Sequence, residues 1–315
     1  MIRCSRAALR FAGNRQRRVR RFKDYHDAMR VKKAVITAAA KSQRALPMQT
    51  LFDQDGVERS VLSLIVREAV QAGMGDIGIV VCPDDEDAYA KLLADDPVRI
   101  TFIPQVEARG YAHAVSLARD FVHSEPFLHC VGDHIYAGSD ASGSARQLVL
   151  LAEAESCAVS AVQVTRENLL PFYGAVGGQA VTGRTDVYRV DTVLEKPTPT
   201  EAEQKIIVPG LRSGQYLCFY GMHVLTPSIF DILEGMLKVS SAGVTLSSAL
   251  AELAQREQYL AVVQRGRRFD VGVKYGLFNA QLALALMGRD RDLVLTELIN
   301  VLGARELFAQ PGVAL

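Results

Sequence analysis

From Lys32 onward the chain alternates between two textures. Short runs are apolar at nearly every position: KKAVITAA (32–39), DIGIVVC (76–82), RITFI (99–103) and PFLHCVGDHI (126–135). Longer stretches repeat their apolar residues every three to four positions: VLSLIVREAVQAG (61–73, closed by Gly73), DEDAYAKLLA (85–94), GYAHAVSLARDFV (110–122) and ARQLVLLAEAES (145–156). The first texture belongs to strands buried on both faces, the second to amphipathic helices. Strands of that kind separated by helices of about 10–15 residues predict a mostly parallel sheet with helices on both sides, a doubly wound α/β architecture.

After the strand CAVSAVQV (157–164) the texture changes. Between Tyr173 and Leu225 turn residues separate β-rich runs, FYGAV, DVYRVDTVLEKP and QYLCFYGMHVL, which predict antiparallel additions to the sheet. PSIFDILEGMLKV (227–239) and LSSALAELAQREQ (246–258) are helical in period, YLAVVQRG (259–266) is a strand, and a final helical region starts at Tyr275. Its apolar tail, 280–308, suits the interface of a homo-oligomer and core packing equally well. No internal repeat is present.

Composition narrows the class. With 315 residues, 49% of them apolar and 23% charged, the chain has the material for a large core and is not intrinsically disordered. No apolar run approaches the roughly 18 residues needed to span a bilayer. Five cysteines without CxxC spacing argue against a zinc site or disulfide framework and lead to the expectation of buried thiols in a reducing, cytoplasmic setting. The net charge of +1 conceals a division: residues 1–28 carry eight Arg, one Lys and two Asp, or +7, whereas residues 29–315 carry 27 basic and 33 acidic residues, or −6.

The basic segment RCSRAALRFAGNRQRRVRRFK has no acidic residue before Asp24. It reads as an over-extended start or disordered tail, as an arm binding nucleic acid or another anionic surface, or as an Arg-rich targeting sequence. In all three readings it stands outside a single domain covering 29–315, and nucleic acid is not expected as a partner of that domain.

In an open parallel sheet, ligands collect outside the carboxyl ends of the strands. Behind the first strand lies AAAKSQRALP (38–47), which is neither a GxGxxG fingerprint nor a GxxxxGK[ST] phosphate loop. Its small residues allow backbone N–H groups to approach a phosphate, and Arg44 offers a bidentate partner; it also reads as an ordinary surface loop. Asp133 ends an apolar run and suits Mg²⁺, although a loop or capping role is equally open. His134 beside it and His113 read as structural histidines. Asp270 in RRFDVG again ends a β-like stretch, and the two carboxylates suit one metal if the fold unites them. In LEKP, Glu195 is placed to accept from sugar hydroxyls and Lys196 to reach a phosphate.

In this order and spacing, KAVITAAAKSQRALP, IPQVEARGYAHAV, VGDHI, YGAV, LEKP, YGMHVL and FDVGVKYG resemble the sugar-phosphate nucleotidylyltransferases, in particular the bacterial uridylyltransferases acting on glucose-1-phosphate. The likeness runs from about Lys32 to about Leu284 and implies a Rossmann-like nucleotidyltransferase fold. By resemblance, Ala39, Ala40 and Lys41 wrap the nucleotide's phosphates and Arg44 holds the terminal two. Gln105 reads the base and Gly110 packs against it. Asp133 and Asp270 hold Mg²⁺; Gly174, Glu195 and Gly221 contact the hexose, and Lys196 binds its phosphate. The implied reaction is attack of the sugar-1-phosphate on the α-phosphorus of UTP, releasing pyrophosphate.

The chain departs from the pattern where the chemistry occurs. Where the family reads close to AGxGTR, this sequence reads AAKSQR, with Ala40, Ser42 and Gln43 in place of two glycines and a threonine. The Lys-Glu pair expected after the proline is absent around Gln49 and Thr50, and no lysine occurs between Lys41 and Lys91. AGVTLSSA replaces an acidic segment, and Ala112 stands where a glycine is usual. A non-catalytic nucleotide or sugar-nucleotide sensor, and a transferase using another base or sugar, are the alternatives.

Overall fold

A computed structural model describes residues 29–41, 44–138, 143–240 and 243–304. The basic arm, residues 42 and 43 of the first loop, and the end of the tail lie outside the described residues. Among the described residues thirteen strands follow in chain order. They are β1 (Lys33–Ala38), β2 (Thr50–Phe52), β3 (Glu58–Ser60), β4 (Asp76–Val81), β5 (Arg99–Pro104), β6 (Phe127–Val131) and β7 (His134–Ala137), then β8 (Ala158–Arg166), β9 (Ala175–Ala180), β10 (Val187–Leu194), β11 (Gln215–Leu225), β12 (Tyr259–Val263) and β13 (Arg267–Asp270).

Nine of them form one sheet in the order β5-β4-β1-β6-β11-β8-β12-β10-β9. The block β5-β4-β1-β6 is parallel, as is β8 with β12, while β11 runs antiparallel between β6 and β8. The sheet is therefore mixed, with four of these eight neighbouring pairs parallel. QYLCFYGMHVL is not a peripheral addition but a central strand, buried at ten of its eleven positions. Its near-continuous apolar run is the mark of a strand covered on both faces.

Helices cover both faces. Along β1, Ala34 and Ile36 pack with Leu62 and Ile65 of the helix Val61–Gln71 and Leu148 of the helix Ser144–Glu155. Val35 packs on the opposite side with Val115 of Tyr111–Ser116, Phe230 of Ser228–Val239 and Leu250 of Leu246–Arg256. Helix starts follow local chemistry: the Ser60 hydroxyl accepts from the Ser63 N–H, and Thr245 and Ser248 cap reciprocally ahead of Leu246. The stretch 110–122 expected as one helix is two, Tyr111–Ser116 and Arg119–Val122.

Two small ribbons lie beside the sheet, β2 with β3 and β7 with β13. The second matters for function, because it pairs segments more than a hundred residues apart. Of the tail, the helix Arg291–Gly303 contains no buried residue. Cys82, Cys130, Cys157 and Cys218 are buried and unpaired, and no helix among the described residues is long and apolar enough to cross a membrane.

Candidate functional site

At the carboxyl ends of β1 and β6 a cleft of about 510 Å³ opens. Ala39, Ala40 and Lys41 form one wall and Gln105 with Gly110 another; Asp133, Lys196 and Asp270 complete it. Eight of the residues singled out from the sequence thus line one space. A smaller cavity of about 260 Å³ adjoins it, lined by the other three expected sugar contacts, Gly174, Glu195 and Gly221. Tyr111, His134 and Tyr173 line both cavities, so the two are neighbours.

Arg44 is not among the residues lining the cleft. Its guanidinium forks onto the carboxylate of Asp85, with Nε donating to Oδ2 over 3.0 Å, and Nη2 also reaches the Pro83 carbonyl. That contact and the negative charge of Asp85 raise the Arg44 pKa further. Among the described residues, Lys41 and Lys196 supply the Lys and Arg cations of the cleft.

The ribbon β7–β13 settles how the two carboxylates meet. Asp270 pairs in register with His134, the neighbour of Asp133, and the Val271 N–H donates to the Asp133 carbonyl over 2.9 Å. Ligand atoms of Asp133, His134 and Asp270 lie within 4.8 Å of one another. Burial pushes the Asp133 pKa up, but the His134 hydrogen bond (Nδ1 to Oδ1, 2.7 Å) and charge outweigh it, so the carboxyl stays below its usual range. A partly buried carboxylate pair suits a hard divalent cation, so the donor set fits Mg²⁺.

At the far wall, the Gln105 side-chain nitrogen donates to the Gly110 carbonyl (3.1 Å) and lies 3.0 Å from His113 Nδ1. With the nitrogen so engaged, the group of this 5% exposed amide left without a partner among the described residues is its carbonyl oxygen, an acceptor. Lys196, two residues after β10, adopts a left-handed backbone with φ 44°, a conformation retained in a non-glycine residue only where surroundings enforce it.

In the smaller cavity the Ser247 hydroxyl donates to Glu195 Oε2 at 2.5 Å. Gly174 makes room for that contact: a Cβ there would stand 2.5 Å from Ser247 Oγ and 2.8 Å from the Phe219 ring. Gly221, at φ +88°, sits where β11 shifts register, and a Cβ would strike Val131 at 2.8 Å. Ser247 was not singled out from the sequence; the signal was its position two residues after Thr245, a helix cap.

His129 and His223 face each other across β6 and β11, ring centroids 5.8 Å apart. Burial drives the His129 pKa well below its ordinary value, with His223 adding to the effect, and burial takes His223 down to about 3. In the unfolded chain both titrate near 6.5. Between there and about 3, for His223, the unfolded state binds a proton that the folded state refuses, so stability falls as pH falls. The expected slope is up to about 1.4 kcal/mol per pH unit for each histidine. Melting temperatures measured from pH 7 to 5 should decline from about pH 6.5; a flat profile would contradict neutral burial.

The family model described as Nucleotidyl transferase matches residues 47–286. The UTP–glucose-1-phosphate uridylyltransferase of Pseudomonas aeruginosa is 26% identical over 277 residues, covering 79% of this chain and 94% of that protein. The Bacillus subtilis protein of the same description, YngB, is 29% identical over 284 residues, covering 82% and 91%. Among solved structures, a UDP-glucose pyrophosphorylase complexed with UDP-glucose superposes with TM-score 0.65 at 22% identity, covering 80% of this chain and 98% of that one. A UTP-bound enzyme of Acinetobacter baumannii gives 0.66 at 21%, covering 86% and 99%. These structural likenesses establish a shared mixed α/β fold.

Proposed function

The chain belongs to the nucleotidyl transferase family, and from that premise we propose that it transfers UMP from UTP to glucose-1-phosphate, releasing pyrophosphate. The observation that carries this reading is the convergence of Lys41, Lys196, Asp133 and Asp270 on one cleft that adjoins a cavity containing Glu195. Two anions must be brought together, so alignment and charge neutralisation are what the site has to supply.

Lys41 and the backbone of Ala39 and Ala40 take the triphosphate. The free carbonyl of Gln105 accepts from the N3–H of uracil, with Gly110 against the ring; thymine carries the same N3–H, while cytosine does not. Lys196 binds the phosphate of the sugar and directs its oxygen towards the α-phosphorus. Glu195, held by Ser247, accepts from hexose hydroxyls beside Gly174 and Gly221. Asp133 and Asp270 would hold Mg²⁺, which when bound neutralises phosphate charge. Arg44 reaches the triphosphate only by leaving Asp85, and a pair whose arginine is 48% exposed is weakly held enough for substrate to displace.

The same pair favours a second reading, a sensor that binds UDP-glucose without turnover. A single experiment separates the two: mass spectrometry of a mixture with UTP, glucose-1-phosphate and Mg²⁺ finds UDP-glucose if the transferase reading holds. Binding without product from any nucleotide or sugar phosphate would favour the sensor. Residues 29–315 are treated as one domain, doubly wound in its parallel blocks, with 1–28 as an arm outside it. A homo-oligomer, with Leu293, Ile299 and Leu302 at its interface, and a cytoplasmic location complete the proposal.

Gly174→Ala tests the sugar assignment. The added methyl displaces Ser247 from Glu195, so KM for glucose-1-phosphate should rise about tenfold or more while KM for UTP stays within about twofold, by initial rates. Equal changes in both would refute it.

A further inference from the structure

His223 stands inside β11 and lines the smaller cavity together with Glu195 and Ser247. It is 3% exposed, with its ring edge-on to Phe219 at 5.1 Å between centroids. Its Nδ1 lies 2.5 Å from Ser160 Oγ, which lies 2.5 Å from the Tyr259 hydroxyl. Tyr259 is buried and has no other side-chain partner among the described residues, so its hydroxyl donates to Ser160. Ser160 then has one proton to give, and the acceptor is Nδ1. A neutral imidazole accepting at Nδ1 carries its proton on Nε2. Among the described residues Nε2 has no hydrogen-bond partner, although the ring borders a cavity. A donor fixed in tautomer, unpaired and bordering a cavity is a group arranged to be completed by a ligand.

Building on the transferase reading, we propose that His223 is a specificity-determining residue: its Nε2–H donates to one hydroxyl oxygen of the hexose, and Ser160 and Tyr259 hold it in the donating tautomer. The hexose is then read from two sides, by a donor at His223 and an acceptor at Glu195. A sugar lacking the recognised hydroxyl leaves the buried N–H unpaired, and sites of this kind reject such analogues strongly.

The test is calorimetric binding of UDP-glucose and its 2-, 3-, 4- and 6-deoxy analogues to the full chain, with His223→Phe, His223→Gln and Tyr259→Phe alongside. In the unaltered protein one deoxy position, besides any read by Glu195, should weaken binding by about tenfold or more. His223→Phe should lose that factor for UDP-glucose yet bind the matching deoxy analogue unchanged. His223→Gln, which keeps an N–H at similar reach, should restore part of the discrimination. If His223→Phe does not fold, Tyr259→Phe carries the comparison, with a reduced penalty at the same position. Equal losses for every sugar, penalties identical to those of the unaltered protein, or no binding of UDP-glucose at all would overturn the assignment. Because binding is read without turnover, absence of transferase activity alone refutes the proposed reaction and leaves the hydroxyl contact separately decided.

Discussion

Replacing Asp133 by alanine should lower pyrophosphate release by about a thousandfold or more at saturating substrate and Mg²⁺. The carboxylate stays ionised through His134 despite its burial, and it faces Asp270 across the β7–β13 ribbon. Removing it leaves one carboxylate and an imidazole, a poor donor set for a hard cation. The lost function is charge neutralisation as the α-phosphorus is attacked, a contribution that water cannot replace. Its side chain is 30% exposed, so melting should change little, which separates lost chemistry from lost fold. Turnover within about threefold of the unaltered protein would refute the metal assignment.

Lys196→Ala is the second large effect, about a hundredfold in kcat/KM, because a charge-assisted contact to the sugar's phosphate is lost. Most of it should appear in kcat if the lysine aligns the attacking oxygen, and in KM if it only holds substrate. The backbone makes the test clean. At φ 44° lysine and alanine carry comparable strain, so Lys196→Ala should melt as the unaltered protein does. Lys196→Gly relieves that strain and should be more stable by roughly 1 kcal/mol while equally impaired. A Lys196→Ala protein of normal activity would remove the lysine from the reaction.

The alternation of apolar runs and amphipathic stretches made β1, β4, β5 and β6 legible, and with them the strand ends where Lys41 and Asp133 lie. LEKP marked the end of β10 for the same reason. The central place of β11 was not legible, because a turn-rich neighbourhood suggested periphery, although its unbroken apolar run carried the contrary signal. The union of Asp133 with Asp270 depends on a pairing between distant segments, which no local pattern encodes. Nor does any local pattern reveal that Arg44 is matched to Asp85, since the interaction spans two separate strand-end loops. Ser247 and His223 look like ordinary helix-cap and strand residues until Gly174, Glu195 and Ser160 are set beside them.

Among the described residues the cleft therefore has fewer cations than the resemblance implies, so the proposed reaction requires Lys41, Lys196 and a metal held by Asp133 and Asp270 to be sufficient. The direct measurement is pyrophosphate released per UDP-glucose formed from UTP and glucose-1-phosphate, with and without Mg²⁺. The expected result is one pyrophosphate per UDP-glucose and no release when the metal is chelated. No pyrophosphate with Mg²⁺ present, from UTP or any other nucleotide, would contradict it.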